Sequence, residues 1–126
     1  MTEVNLHISS SIATYSRNGE ILISRSLPVQ RTVNNLQDNA EIVRSITNGK
    51  RTKVLVFLCN SPVPDKVARK LSAELVPQLY SAMALVSKPG LAQLVMKMVF
   101  AFQNPGIPVK IFTDSETAII WLRKQK

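Results

Sequence analysis

The chain has 126 residues, 45% of them hydrophobic and 19% charged, which suits one core covered by helices and is too short for two independent cores. Sixteen Lys and Arg against eight Asp and Glu leave a net charge of +8 at pH 7, a surplus that favours anionic partners. One cysteine, Cys59, excludes an internal disulfide framework and fits a reducing compartment.

The first residues, Met1-Thr2-Glu3-Val4-Asn5-Leu6, show no basic segment leading into an apolar run, so no signal peptide is expected. Residues 4–15 and 20–25 read as two strands joined around Arg17-Asn18-Gly19, an Asn-Gly hairpin signal. Pro28 ends the second strand. Thr32 is placed as an N-cap, and Val33, Leu36, Ala40, Val43 and Ile46 follow at helical spacing as one apolar stripe. Asn48-Gly49 supplies a left-handed stop.

Residues 54–58 form a continuous apolar run, which predicts a central strand covered on both faces. After Ser61-Pro62-Val63-Pro64-Asp65 a helix is expected to carry Val67, Ala68, Leu71 and Leu75 and to break or bend near Pro77. A strand over residues 82–86 leads to Lys88-Pro89, a helix opening, and to a helix reaching residue 102. Pro105-Gly106-Ile107-Pro108 separates that helix from a strand at 109–112. Thr113-Asp114-Ser115-Glu116 reads as a capping box, and Ala118, Trp121 and Leu122 as the inner face of the last helix.

The expected order is therefore β-β-α-β-α-β-α-β-α: an α/β fold with a mixed sheet flanked by helices, in one domain over residues 1–126. Strands separated by helices must pair in parallel through crossovers. The longest oily stretch, residues 91–102, is interrupted by Gln93 and Lys97 and is too short to span a bilayer, so no transmembrane segment is expected.

This order resembles the STAS domain, the fold of the anti-sigma-factor antagonist SpoIIAA. It is most similar to small bacterial SpoIIAA-like proteins that are also related to Sec14 lipid-transfer domains. The resemblance is carried by Asn48-Gly49-Lys50-Arg51 before an apolar strand and by Val67-Ala68-Arg69-Lys70. Further on it is carried by Phe100-Ala101-Phe102-Gln103-Asn104-Pro105, Pro108-Val109-Lys110-Ile111-Phe112, and Ala118 with Trp121-Leu122. These motifs are structural and specify fold better than activity.

A search for chemistry returns little. His7 stands alone on an early strand with no second ligand at metal spacing. Cys59 closes the central strand and is expected to act as a small hydrophobe. No glycine-rich loop follows a strand, and no close carboxylate pair suggests acid–base work. No catalytic residue, metal site or cofactor is therefore assigned, and the chain is not read as an enzyme.

Ser61 is the sharper candidate. The resemblance implies a phosphoacceptor serine just beyond this strand, whose modification releases a partner. In this chain Asn60-Ser61 fills that stretch within Cys59-Asn60-Ser61-Pro62, without an acidic residue before it or a glycine after. The local reading, which is preferred, is that Ser61 caps the second helix with Pro62 in its first turn.

On the helix at 91–102, Ala92, Met96 and Phe100 form a second apolar line beside the stripe that faces the sheet. That line is a candidate interface, with a second copy of the chain or another protein, or else a surface for an apolar ligand. The basic residues are scattered along the sequence and no aromatics interleave with them, which argues against nucleic acid. The expectation is a non-enzymatic STAS-like cytoplasmic module acting by protein–protein interaction, with a regulatory role open to it. The alternative is a Sec14-like binder of a lipid or other apolar ligand under helix 91–102.

Overall fold

Three antiparallel strands open the chain: β1 (Val4–Ser9), β2 (Ala13–Asn18) and β3 (Ile21–Ser26). The computed structural model describes residues 4–60, 62, 64–88, 90 and 106–125, with residues 4–7 described by backbone alone. The single strand expected over residues 4–15 is thus two strands. Ser10 makes the break: its Oγ accepts from the N–H groups of Ile12 (3.2 Å) and Ala13 (3.1 Å) and reverses the chain. The Asn-Gly signal is met as a hairpin, with Asn18 opposite Ile21 and Gly19 at φ 60°.

The rest alternates as α1 (Val33–Thr47), β4 (Thr52–Phe57), α2 (Lys66–Leu79), β5 (Tyr80–Val86), β6 (Val109–Phe112) and α3 (Ser115–Arg123). The six strands lie in the order β1-β2-β3-β4-β5-β6. Pairing is antiparallel as far as β3 and parallel from β3 to β6, the mixed sheet expected.

β4 sits between two parallel neighbours, and its consecutive residues Val54 (0% exposed) and Leu55 (1%) are buried on opposite faces. The continuous apolar run has this cause, since each face needs its own hydrophobe at every step. On one face Leu22, Val54 and Met83 stand in register beneath α1 and α2, whose Leu36, Ala40, Val43, Ala68, Val76 and Leu79 complete that core. On the other, Ile23, Leu55 and Ala84 meet Ala118 and Leu122 of α3. Trp121 packs on Phe112 with ring centroids 5.7 Å apart.

Helix ends follow local chemistry. Thr32 and Asn35 exchange bonds across the start of α1, and Asn48 (φ 55°) with Gly49 (φ 75°) closes it in the left-handed region. The cap of α3 is Asp114 rather than Thr113, because its carboxylate takes the N–H (2.8 Å) and the hydroxyl (3.0 Å) of Thr117. α2 continues through Pro77 to Leu79. Val67, expected in the inner stripe of α2, is 65% exposed, and Val76 and Leu79 take the buried places.

Leu122→Ala should cost about 2–5 kcal/mol in urea unfolding, because it opens a cavity in the α3 layer. Ile120→Ala, on the exposed side of the same helix, should stay within about 0.5 kcal/mol of wild type.

Candidate functional site

Open parallel sheets bind ligands beyond the carboxyl ends of their strands. From that end a polar cluster runs into the core on the α1 and α2 side, as far as Tyr80 at the beginning of β5. Tyr15 on β2 lies opposite Ser24 on β3. The Asn39 side chain of α1 meets Tyr15 there, and its Oδ1 accepts from the Tyr15 hydroxyl (2.6 Å) and from Ser10 Oγ (2.7 Å). Tyr15 is also hydrogen-bonded to Ser24 and to the hydroxyl of the fully enclosed Tyr80, at the start of β5.

Arg31 borders the cluster. Its Nη1 donates to the carbonyls of Leu27 (2.7 Å) and Val29 (2.6 Å), and its Nη2 to that of Ile12 (3.0 Å). The guanidinium therefore ties the loop after β3 to the turn between β1 and β2. Burial lowers its pKa, opposed by the nearby Cys59 and Tyr15, and a guanidinium so placed stays charged at neutral pH.

Burial raises the pKa of Tyr15, and it raises that of Tyr80 well above the ordinary value. Both are neutral donors at pH 7, with their hydroxyls directed at other members of the cluster. What this arrangement does chemically is clamp α1, the β1–β2 turn and β5 together. No group of three or more His, Cys, Asp or Glu gathers among the described residues in a way that could hold a metal.

Cys59 lies past the end of β4 and is half-buried; Leu58, 8% exposed, fills the buried place expected for it. The N-cap of α2 is Asp65, whose carboxylate accepts from the Ala68 N–H at 2.8 Å, so the cap assigned to Ser61 is supplied four residues later. Ser61 itself, the His7 side chain, and Ala92, Met96 and Phe100 lie outside the described residues. The clamp is made of residues that the sequence reading did not single out, Ser10, Tyr15, Asn39 and Tyr80.

Two signals could have found the clamp. Counting back from Asn18-Gly19 puts Tyr15 opposite Ser24, a polar pair on an inward face. Asn39 falls three residues after Leu36, on the buried stripe of α1.

The same end of the sheet carries exposed apolar side chains. Of the four large exposed hydrophobes among the described residues, Ile8 (37%), Val29 (41%) and Val67 (65%) lie there, on β1, after β3 and at the start of α2. Lys66, Arg69 and Lys70 surround Val67 in sequence and are exposed as expected.

Residues 15–126 match the family described as Domain of unknown function (DUF7793). The chain belongs to this DUF7793 family. Its fold matches the crystal structure of an uncharacterized protein from the DUF3478 family with a SpoIIAA-like fold, from Shewanella loihica PV-4. The TM-score is 0.60 at 16% identity, over 91% of this chain and 98% of that one. The DUF7793 chain thus has the SpoIIAA-like fold expected from its motifs. No curated protein matches it in sequence. Among the described residues no helix is long and apolar enough to cross a membrane.

Two predictions test the clamp and the cap. Because the folded state holds the tyrosine protons more tightly than the unfolded chain, that stabilisation is complete below pH 10.0 and is lost as pH rises above it. Urea midpoints should therefore fall above about pH 10, and fall less in the Tyr15→Phe/Tyr80→Phe variant. Asp65→Ala should cost about 0.5–2 kcal/mol at pH 7 through loss of the α2 cap. Ser61→Ala should not show that loss.

Proposed function

We propose that this DUF7793 protein is a non-enzymatic SpoIIAA-like module that binds another protein through the end of the sheet where the parallel strands finish. The observation that carries this reading is the placement of Ile8, Val29 and Val67, three exposed large hydrophobes drawn from separate elements, at that one end. A contact core needs such side chains, and isolated folded chains usually cover them or disperse them. Lys66, Arg69 and Lys70 would then form a polar rim complementary to acids on the partner.

The clamp suits this role. Its polar groups bond to one another, so they hold the presenting loops in place and leave no free nucleophile or base among themselves. β4 finishes and α2 starts at the same end, and in sequence Ser61 falls between them. Asp65 takes the N-cap of α2, and the phosphoacceptor role of Ser61 is part of this proposal.

Native mass spectrometry of the protein purified from its host tests the reading. The expected spectrum shows a species above the 14.0 kDa of one chain, either a dimer or a complex with a second protein. Val67→Glu should abolish it while changing stability by less than about 0.5 kcal/mol. A bare chain, or an added small apolar mass in place of a protein, would overturn the proposal, and the second result would favour the lipid-binding alternative. Loss of the partner in Ser61→Asp, at unchanged stability, would make that loop the control point.

A further inference from the structure

The opposite end of the sheet, where the parallel strands begin, has a different chemistry. The helices α1, α2 and α3 all finish there, as do the β2–β3 hairpin and the α1–β4 loop. Along the sequence the cations of these segments look dispersed, yet the fold brings them together. Arg17 comes from β2, Arg44 from α1, Lys50 and Arg51 from the approach to β4, Lys53 from its start, and Arg123 and Lys124 from the end of α3. Among the described residues, the loops and last helical turns that make this end carry one acid, Glu20. The other end mixes Asp65, Asp114 and Glu116 with its cations.

Several of these cations are held by neutral oxygens. Arg17 Nη1 donates to the Ile46 carbonyl (3.5 Å), Arg44 Nη2 to Gln78 Oε1 (3.1 Å), Arg51 Nε to the Tyr80 carbonyl (3.2 Å) and Lys53 Nζ to the Arg123 carbonyl (3.5 Å). Such bonds fix the side chains without cancelling their charge. Helix dipoles explain only part of the pattern. Arg44 and Arg123 sit in last turns, but α2 has no basic residue in its own, and Lys50, Arg51, Lys53 and Arg17 belong to no last turn.

We propose that this end is a docking surface for the phosphate backbone of duplex nucleic acid, bound without regard to sequence. Fixed guanidiniums and ammoniums on one face of a protein of pI about 10.1 are the electrostatic footprint of such binding. A membrane surface fits less well, because interfacial binding adds apolar side chains to the cations. Of the four exposed large hydrophobes among the described residues three stand at the far end, and only Ile120, in the last turn of α3, stands at this one. Among the described residues the aromatics nearest these cations are Tyr80, which is buried, and Trp121, which packs on Phe112, so neither is set out to stack an unpaired base, and this favours the duplex over a single strand. This surface is separate from the protein-binding end, and neither reading depends on the other.

The test is fluorescence anisotropy with a labelled mixed-sequence DNA duplex of about 20 base pairs, at about 50 and 200 mM salt. Two double variants remove equal charge from opposite ends: Lys50→Ala/Lys124→Ala and Lys66→Ala/Lys70→Ala. Wild type should bind with Kd on the order of 10⁻⁵ M. The first variant should weaken binding roughly tenfold and reduce the salt slope by about 2, while the second stays within about twofold of wild type. Circular dichroism should show both folded, since all four side chains are exposed. No binding at the lower salt, or equal losses in both variants, would overturn the proposal. Tighter binding to phosphatidylserine vesicles or to polyglutamate, weakened by the same first variant, would overturn it too, in favour of a membrane or an acidic protein.

Discussion

The parallel pairing of β3 through β6 is the constraint on which the rest of this molecule depends. Because each crossover must bring the chain back to the same end of the sheet before the next parallel strand begins, α1 and α2 both run against the strands, and α3 leaves the top of β6 to do likewise. Each of the three described helices therefore begins at one end of the sheet and finishes at the other. The two ends cannot be alike: one gathers caps and strand-to-helix loops, the other gathers helix termini and the hairpin. Val54 and Leu55, adjacent in β4 and buried on opposite faces, hold the two layers to this arrangement.

The clamp of Tyr15, Asn39 and Tyr80 is the polar counterpart of that core. It spans from β2 to β5 beneath α1, and every member we can trace is hydrogen-bonded. A buried network of this kind is costly if left half-satisfied and fixes one geometry when complete. Beside it Arg31, on the carbonyls of Leu27, Val29 and Ile12, ties the loop after β3 to the turn between β1 and β2.

Much of the fold was legible in the sequence, for physical reasons that can be named. The unbroken run of β4 and the Leu36, Ala40, Val43 stripe declare burial directly, and Thr32 and Asn48-Gly49 mark helix ends through hydrogen bonds that are local. The misplacements were local competitions. Ser10 offered its hydroxyl to two amides and split a strand; Asp114 and Asp65, with carboxylates in reach of the right N–H groups, took caps that Thr113 and Ser61 were expected to supply. Val67 satisfied helical spacing but fell on the outer face. Long-range gatherings were not legible: Arg17, Arg51 and Lys124 are far apart in sequence, and only the crossovers make them neighbours at one end.

The account's central claim is that the crossovers sort binding chemistry to opposite ends of one sheet. Backbone amide NMR during titration with the DNA duplex tests it most directly, because it reports position at both ends at once. The account predicts shifts at Arg44, Lys50, Arg51 and Lys124 that saturate together, while Val29, Asn60 and Val67 stay still. Shifts spread evenly over Lys66, Arg69 and Lys88 as well would show that net charge alone drives the contact, and would contradict the claim.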